Sequence, residues 1–247
     1  MDLPEALRDH LIGYAFERTP LGEAAETYRL VARGRPTRYL KMAGELEREH
    51  ARLRWAAGRL PVPQVLAFAS DADREYLVLA ELAGTPVELA TELPVAARVA
   101  HLAGVLRSLH CMPVAECPFD ARVRGRLVDA EANVRGGRVD ESDFDPCRLG
   151  RDTASLLAEL HAWPRFAEDL VVTHGDFTLA NVFVQPTGLL DLGRLGVADR
   201  HQDLALVLRD IANDYGAEWR EPFLRAYGLA ALDDSKCAFF RLLDELF

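Results

Sequence analysis

Lysine is nearly missing from this chain: of 29 lysines and arginines, only Lys41 and Lys236 are lysine. Arginine is the default cation, so each lysine marks a place where a compact ammonium on a flexible stem was kept over a bulkier guanidinium. Nor does any apolar run approach the roughly 18 residues that a membrane-spanning helix needs. The opening Met1-Asp2-Leu3-Pro4 lacks a leader pattern. The expectation is a soluble cytoplasmic protein with no membrane partner. Cysteine is scarce as well. Cys111, Cys117, Cys147 and Cys237 form no C-x-x-C pair and stand at no zinc-like spacing from histidine, which excludes a disulfide scaffold and a zinc finger and suits reduced structural thiols. Positive charge is in deficit, with a formal net charge of −10. That disfavours nucleic acid as a partner and favours a cationic one.

What is present is concentrated between Val171 and Arg194. Two apolar runs, 170–172 and 182–184, flank a polar loop carrying His174, Asp176 and Asn181, and a third run delivers Asp191 and Gly193. The order H-x-D-x-x-x-x-N followed by D-x-G is that of the catalytic and metal-binding segments of protein kinases. There an Asp accepts the substrate hydroxyl proton while an Asn and a second Asp hold Mg²⁺. Isolated Asp and Asn residues commonly do no more than shape turns. Strand-like flanks and a D-x-G ten residues after Asn181 favour phosphoryl transfer from a nucleotide to a hydroxyl.

The rest of the chain supplies partners for that motif. Residues 1–18 read as a short amphipathic helix or an ordered arm. Residues 27–33 and 37–41 alternate as a hairpin around Gly34-Arg35-Pro36, and 21–26, with the single Gly22, is a glycine-poor candidate for a phosphate loop. Lys41 ends the hairpin, where a kinase lobe places the lysine that contacts the α- and β-phosphates. Residues 45–57 read as a helix stopped by Gly58. Glu49 shares its buried stripe with Leu46 and Leu53, so its carboxylate needs a cation, and Lys41 is the candidate. Strands 62–69 and 76–82 complete a small antiparallel sheet. Ala80 to Leu82 then lead into a hinge whose backbone could bind adenine.

From Pro94 the chain is mostly helical: a helix over 95–110 with His110 as a C-terminal cap, an irregular polar stretch over 119–148 with acids at 140–145, and final helices over 218–228 and 233–246. Asp203, set among Leu204, Ala205 and Leu206, is expected to anchor the catalytic loop through backbone hydrogen bonds. The fold class is α+β, a two-lobed protein-kinase-like fold with an antiparallel-sheet lobe over 1–82 and a mostly helical lobe over 83–247.

The segments Val171-Val172-Thr173-His174-Gly175-Asp176, Asp191-Leu192-Gly193-Arg194-Leu195-Gly196-Val197-Ala198-Asp199 and Arg241-Leu242-Leu243-Asp244-Glu245-Leu246-Phe247 together resemble the aminoglycoside phosphotransferases, specifically the 3′-phosphotransferase branch. The resemblance spans nearly the whole chain. It implies ATP- and Mg²⁺-dependent phosphorylation of the 3′-hydroxyl of kanamycin- or neomycin-type antibiotics. Lys41, held by Glu49, would contact the α/β-phosphates. Asp176 would orient the hydroxyl and accept its proton, and Asn181 and Asp191 would bind Mg²⁺. Arg194 would lie near the reacting groups. Asp244, Glu245 and the Phe247 carboxylate, with Arg209, Asp214 and acids of 140–145, would bind the ammonium groups of the cationic aminoglycoside. The connections 41–49 and 181–191 are shorter than the family's, and the second bears on the hairpin that presents Asp191. The competing readings are a kinase of another amino-bearing alcohol or sugar, and a nucleotide-binding relative that has lost turnover.

Overall fold

The computed structural model describes residues 3–19 and 25–247. The chain forms two compact units, Met1–Leu89 with Ala180–Arg194, and Ala90–Leu179 with Leu195–Phe247. The expected division after Leu82 is continuous in sequence. The observed one is not, because the segment after Leu179 is hydrogen-bonded back into the first unit.

In the first unit a short helix, Arg8–Leu11 (α1), precedes strands Ala15–Arg18 (β1), Glu26–Val31 (β2) and Arg38–Ala43 (β3). Helix Glu47–Ala56 (α2) and strands Val65–Ser70 (β4) and Glu75–Ala80 (β5) follow. The antiparallel sheet runs β1-β2-β3-β5-β4. Alternation explains it: Leu30, Leu40, Met42, Tyr76 and Val78 point to one face and bury against Leu7, Leu11 and Tyr14. Each fully buried leucine there contributes about 1.5–3 kcal/mol. Strand β1 was not expected within the arm 1–18, because its four residues are all exposed and show no alternation. Residues 21–24 of the candidate phosphate loop, Gly22 included, lie outside the described residues.

A second, three-stranded sheet joins Thr85–Pro86 (β6) to Val182–Val184 (β8), which pairs with Gly188–Leu189 (β9). Gly84 is confined here, since a Cβ would meet the Pro186 carbonyl oxygen at 2.5 Å, and its φ is +106°.

The second unit holds helices Val95–His110 (α3), Val123–Arg135 (α4), Thr153–Ala162 (α5), His201–Asp214 (α6), Arg220–Tyr227 (α7) and Asp234–Asp244 (α8). Strand Leu170–Thr173 (β7) pairs antiparallel with Gly196–Asp199 (β10). Helix α4 corrects the irregular reading of 119–148. Val123, Leu127, Ala130 and Val134 make one apolar stripe on an otherwise polar helix, packed on a core built from Phe144, Leu156, Leu160, Phe239, Phe240 and Leu243.

The other lysine finds its reason beside that core. Lys236 Nζ donates to Asp199 Oδ2 and to the Ala167 carbonyl, both at 2.6 Å. Burial alone would raise the Asp199 pKa, but hydrogen bonds from the His201 ring, Lys236 and the amides of His201 and Asp169 outweigh it and hold the carboxyl at about 2. No cysteine is in a disulfide, and among the described residues no helix is long and apolar enough to cross a membrane.

Candidate active site

The first unit assembles a charged cluster from β3, α2 and the segment after β9. Lys41 sits opposite Thr27 and Leu77 in the sheet, so its side chain leaves the strand toward α2. Helix α2 is oriented by Glu75, whose Oε2 accepts the amides of Leu46 and, at 2.6 Å, Glu47. This turns Glu49 inward. Lys41 Nζ donates to Glu49 Oε1 at 2.8 Å, to Glu49 Oε2 at 3.0 Å and to Asp191 Oδ2 at 3.4 Å. Burial would lower the ammonium's pKa, but the Asp191 and Glu49 carboxylates together leave it raised. The short 41–49 connection therefore suffices to close the pair.

The short 181–191 connection is a complete hairpin. Val182 faces Leu189 and Phe183 faces Gly188, and the Leu190 amide donates to the Asn181 carbonyl at 2.9 Å. Asn181 and Asp191 thus flank the last rung of one hairpin. Asp191 has φ +57°, a left-handed conformation that Asp tolerates better than most residues. Its side chain is 49% exposed, against 7% for Glu49. Two carboxylates share the Lys41 ammonium, and the more accessible of them is Asp191.

Among the described residues no group of three or more His, Cys, Asp or Glu side chains could hold a metal. The hard oxygens of Asn181 and Asp191 nevertheless suit Mg²⁺, which retains waters and phosphate oxygens rather than requiring an all-protein cage. Arg194 is half-buried at the end of the same segment. Ala80 ends β5 with its amide donated to the Gln64 carbonyl at 2.9 Å. Leu82 packs so closely over Gly188 that a Cβ there would meet its Cδ2 at 2.8 Å.

The second unit fixes the loop that carries Asp176. Asp203, fully buried on α6, accepts the His174 amide on Oδ2 and the Gly175 amide on Oδ1, both at 2.8 Å, as its setting in sequence implied. Gln202 Nε2 donates to the Gly175 carbonyl at 3.2 Å, and Gly175 supplies φ +86° at the bend. The Asp176 amide donates to His174 Nδ1 at 3.3 Å, and the Leu179 amide to Asp210 Oδ2 at 3.2 Å. Burial, with repulsion from Asp214, outweighs Arg209 and the Leu179 amide and pushes the Asp210 carboxyl up to about 6. Asp176 itself is half-buried. A loop with four backbone groups, on His174, Gly175 and Leu179, bonded to α6 side chains presents this carboxylate with little freedom. His110 is not the helix cap its position suggested: its ring is buried and bonded to Asp203 and Tyr227.

The acids expected to meet ammonium groups are engaged by arginines. Arg209 Nη1 donates to Asp244 Oδ2 at 3.0 Å, and its Nε to Asp210 Oδ1 at 3.3 Å. Arg148 Nη1 donates to Glu245 Oε1 at 2.7 Å and to Asp145 Oδ2 at 3.0 Å, while Glu245 Oε2 accepts the Asp145 amide at 3.0 Å. Phe247 lies under the Arg126 guanidinium, 3.7 Å from the ring centroid. Within 140–145, Asp140 caps Ser142 and Glu141 accepts the Thr153 amide, both local structural duties. Asp214 is exposed at the end of α6. Sequence reasoning missed His110, Tyr227, Arg148 and Arg126. The contacts His110–Asp203, His110–Tyr227, Arg148–Glu245 and Arg126–Phe247 each join residues more than ninety positions apart, and no spacing rule reaches that far.

A strand lysine clamped by a helix glutamate, and an aspartate-bearing loop pinned by a buried helix aspartate, define a phosphotransferase of the protein-kinase-like class. The model of the phosphotransferase enzyme family matches residues 13–240, and the chain belongs to that family. It is 40% identical over 218 residues to an aminoglycoside 3′-phosphotransferase of Streptomyces fradiae, covering 83% of this chain and 81% of the relative. The crystal structure of an aminoglycoside 3′-phosphotransferase of type VIII superposes with a TM-score of 0.86 at 38% identity, covering 98% and 97% of the two chains. An aminoglycoside phosphotransferase of Streptomyces rimosus, solved with ADP and streptomycin, superposes with a TM-score of 0.82 at 26% identity, covering 98% and 96%.

Proposed function

We propose that this chain transfers the γ-phosphoryl group of ATP to the 3′-hydroxyl of aminoglycoside antibiotics and so confers resistance to them. The observation that carries the reading is the Lys41 ammonium held 2.8 Å from Glu49 and 3.4 Å from Asp191. A retained lysine in an arginine-rich chain, fixed in charge and direction, is suited to the α- and β-phosphates of a nucleotide. The activity named for the Streptomyces fradiae relative and the ADP and streptomycin in the Streptomyces rimosus structure support the two substrates.

Phosphoryl transfer asks the protein mainly for alignment and for compensation of negative charge. Lys41 supplies a fixed positive charge to the nucleotide. Asn181 and Asp191 would hold Mg²⁺, which would supply positive charge to offset that of the nucleotide's phosphoryl groups. Asp176 orients the acceptor hydroxyl and takes its proton, and Arg194 adds positive charge near the transferred group. The −10 net charge draws a polycationic antibiotic toward the protein. The paired acids Asp244, Glu245 and Asp145, with Asp214, receive its ammonium groups, Arg209 and Arg148 yielding part of their hold. The test is the product. Incubation with MgATP and kanamycin should give a monophosphorylated drug whose phosphorus couples to the 3′ proton in NMR. Phosphate at another hydroxyl would overturn the regiochemistry, and unmodified drug would overturn the reading.

A further inference from the structure

Asp203 has a third partner besides the two loop amides. His110, at the end of α3, places Nε2 3.0 Å from Asp203 Oδ2, and its Nδ1 lies 2.7 Å from the Tyr227 hydroxyl of α7. That hydroxyl also accepts from Arg200 Nη1 at 3.1 Å, and Arg200 is paired with Asp169 at 2.6 Å. A carboxylate can only accept, so the His110 ring proton that faces Asp203 is on Nε2. Tyr227 then donates to Nδ1 and accepts from Arg200, so the donors from Arg200 to Asp203 all point one way. The series runs from a partly exposed Arg200–Asp169 pair through Tyr227 and His110 to the carboxylate that holds the loop. His110 is 8% exposed, Tyr227 5% and Asp203 0%, and three helices and the loop meet in it.

We propose that His110, seconded by Tyr227, is a positioning residue for phosphoryl transfer. By sharing Asp203 Oδ2 with the His174 amide, it fixes the carboxylate rotamer on which the His174 and Gly175 amides, and through them the Asp176 side chain, depend. With the two amides alone, the carboxylate could rotate about its terminal bond and exchange one oxygen for the other. A ring N–H on Oδ2 distinguishes the two oxygens and holds that rotamer. The inference rests on the phosphotransfer reading for its kinetic part.

The test compares His110→Leu, His110→Gln and Tyr227→Phe with Leu156→Ala, a core variant on α5 that destabilises the same unit without touching this chain. Two quantities are read: steady-state kinetics with MgATP and kanamycin, and amide hydrogen exchange at His174 and Gly175 in the resting protein. His110→Leu should lower kcat about 10- to 100-fold, the scale expected for a misplaced reacting group, with both KM values little changed and the two amides exchanging faster. His110→Gln, whose amide can donate from the Nε2 position, should recover most of both. Tyr227→Phe should fall between, and Leu156→Ala should lower Tm while leaving kcat and the two amides as in the wild type. Unchanged exchange in His110→Leu, or faster exchange with wild-type kcat, would overturn the proposal. So would an equal loss of kcat in Leu156→Ala. If the wild type phosphorylates no aminoglycoside, the functional reading fails, while the exchange rates still decide whether His110 holds the loop.

Discussion

Replacing Glu49 by Gln separates the two duties of the Lys41 cluster. The amide is nearly isosteric, so α2 keeps its packing, and what disappears is one buried charge beside a buried ammonium. Removing a partner from a buried ion pair costs about 3–5 kcal/mol when nothing replaces it. Here Asp191 stands 3.4 Å from the same nitrogen and is 49% exposed, so the ammonium can move onto it. The stability loss should therefore shrink to about 1–2 kcal/mol, or about 2–8 °C in Tm. Under the proposed roles the functional loss should be larger, because a lysine drawn onto Asp191 would leave the nucleotide phosphates and neutralise the carboxylate proposed to hold Mg²⁺. We expect kcat/KM for MgATP to fall about 100-fold, equivalent to about 2.7 kcal/mol of transition-state stabilisation, and half-maximal activity to require more Mg²⁺. ADP release measured at fixed ATP and varied Mg²⁺, beside thermal unfolding, gives both quantities. A lowered Tm with unchanged KM for MgATP and unchanged Mg²⁺ dependence would refute the reasoning and leave Glu49 a structural residue only.

Two further outcomes follow from the other charged contacts. The folded-state pKa of Asp199, about 2, lies below its unfolded value, so folding favours the ionised form. Its contribution, about 2 kcal/mol, is present above the unfolded pKa and lost as pH falls through the folded one. Urea unfolding of wild type and Asp199→Asn should accordingly show a gap that narrows by about that amount between pH 7 and pH 2; a gap independent of pH contradicts the assignment. Arg148→Gln should release Asp145 and Glu245 to a cationic acceptor and lower the KM for kanamycin about fivefold at low salt, an effect that salt should erode. An unchanged or raised KM would mean that Arg148 serves as a strut for the 141–148 segment.

Legibility in the sequence followed physical range. Lys41 and Glu49 could be joined because lysine is rare and because Glu49 falls on a stripe with Leu53, a local periodicity that survives in the fold. Asp203 was legible for the same reason, a carboxylate set among aliphatic residues on one helix. The hairpin that brings Asn181 and Asp191 together needed only the apolar runs on either side. Strand β1 left no trace, because all four of its side chains are exposed and pairing with β2 rests on backbone hydrogen bonds. Helix α4 was hidden by its arginines and Gly125, which dilute a stripe that only the core beneath it makes meaningful. His110 with Tyr227 and Arg148 with Glu245 were invisible. Each pair is made by tertiary packing that brings residues 117 and 97 positions apart into contact, and neither His110 nor Arg148 has a local oddity that points to its partner. The terminal acids show a further limit. Sequence identified Asp244 and Glu245 as charges worth explaining, but not that Arg209 and Arg148 already hold them.

The most direct measurement of the central claim is ADP release by purified wild-type protein and by Asp176→Asn, with MgATP, in the presence and absence of kanamycin. Asp176→Asn preserves the loop's backbone anchors on Asp203 and Asp210 and removes only the carboxylate proposed to accept the proton. Kanamycin-dependent release by the wild type, reduced by about 100-fold or more in the variant with MgATP binding retained, is the expected result. Release that ignores kanamycin, or that survives Asp176→Asn, would contradict phosphoryl transfer through this loop.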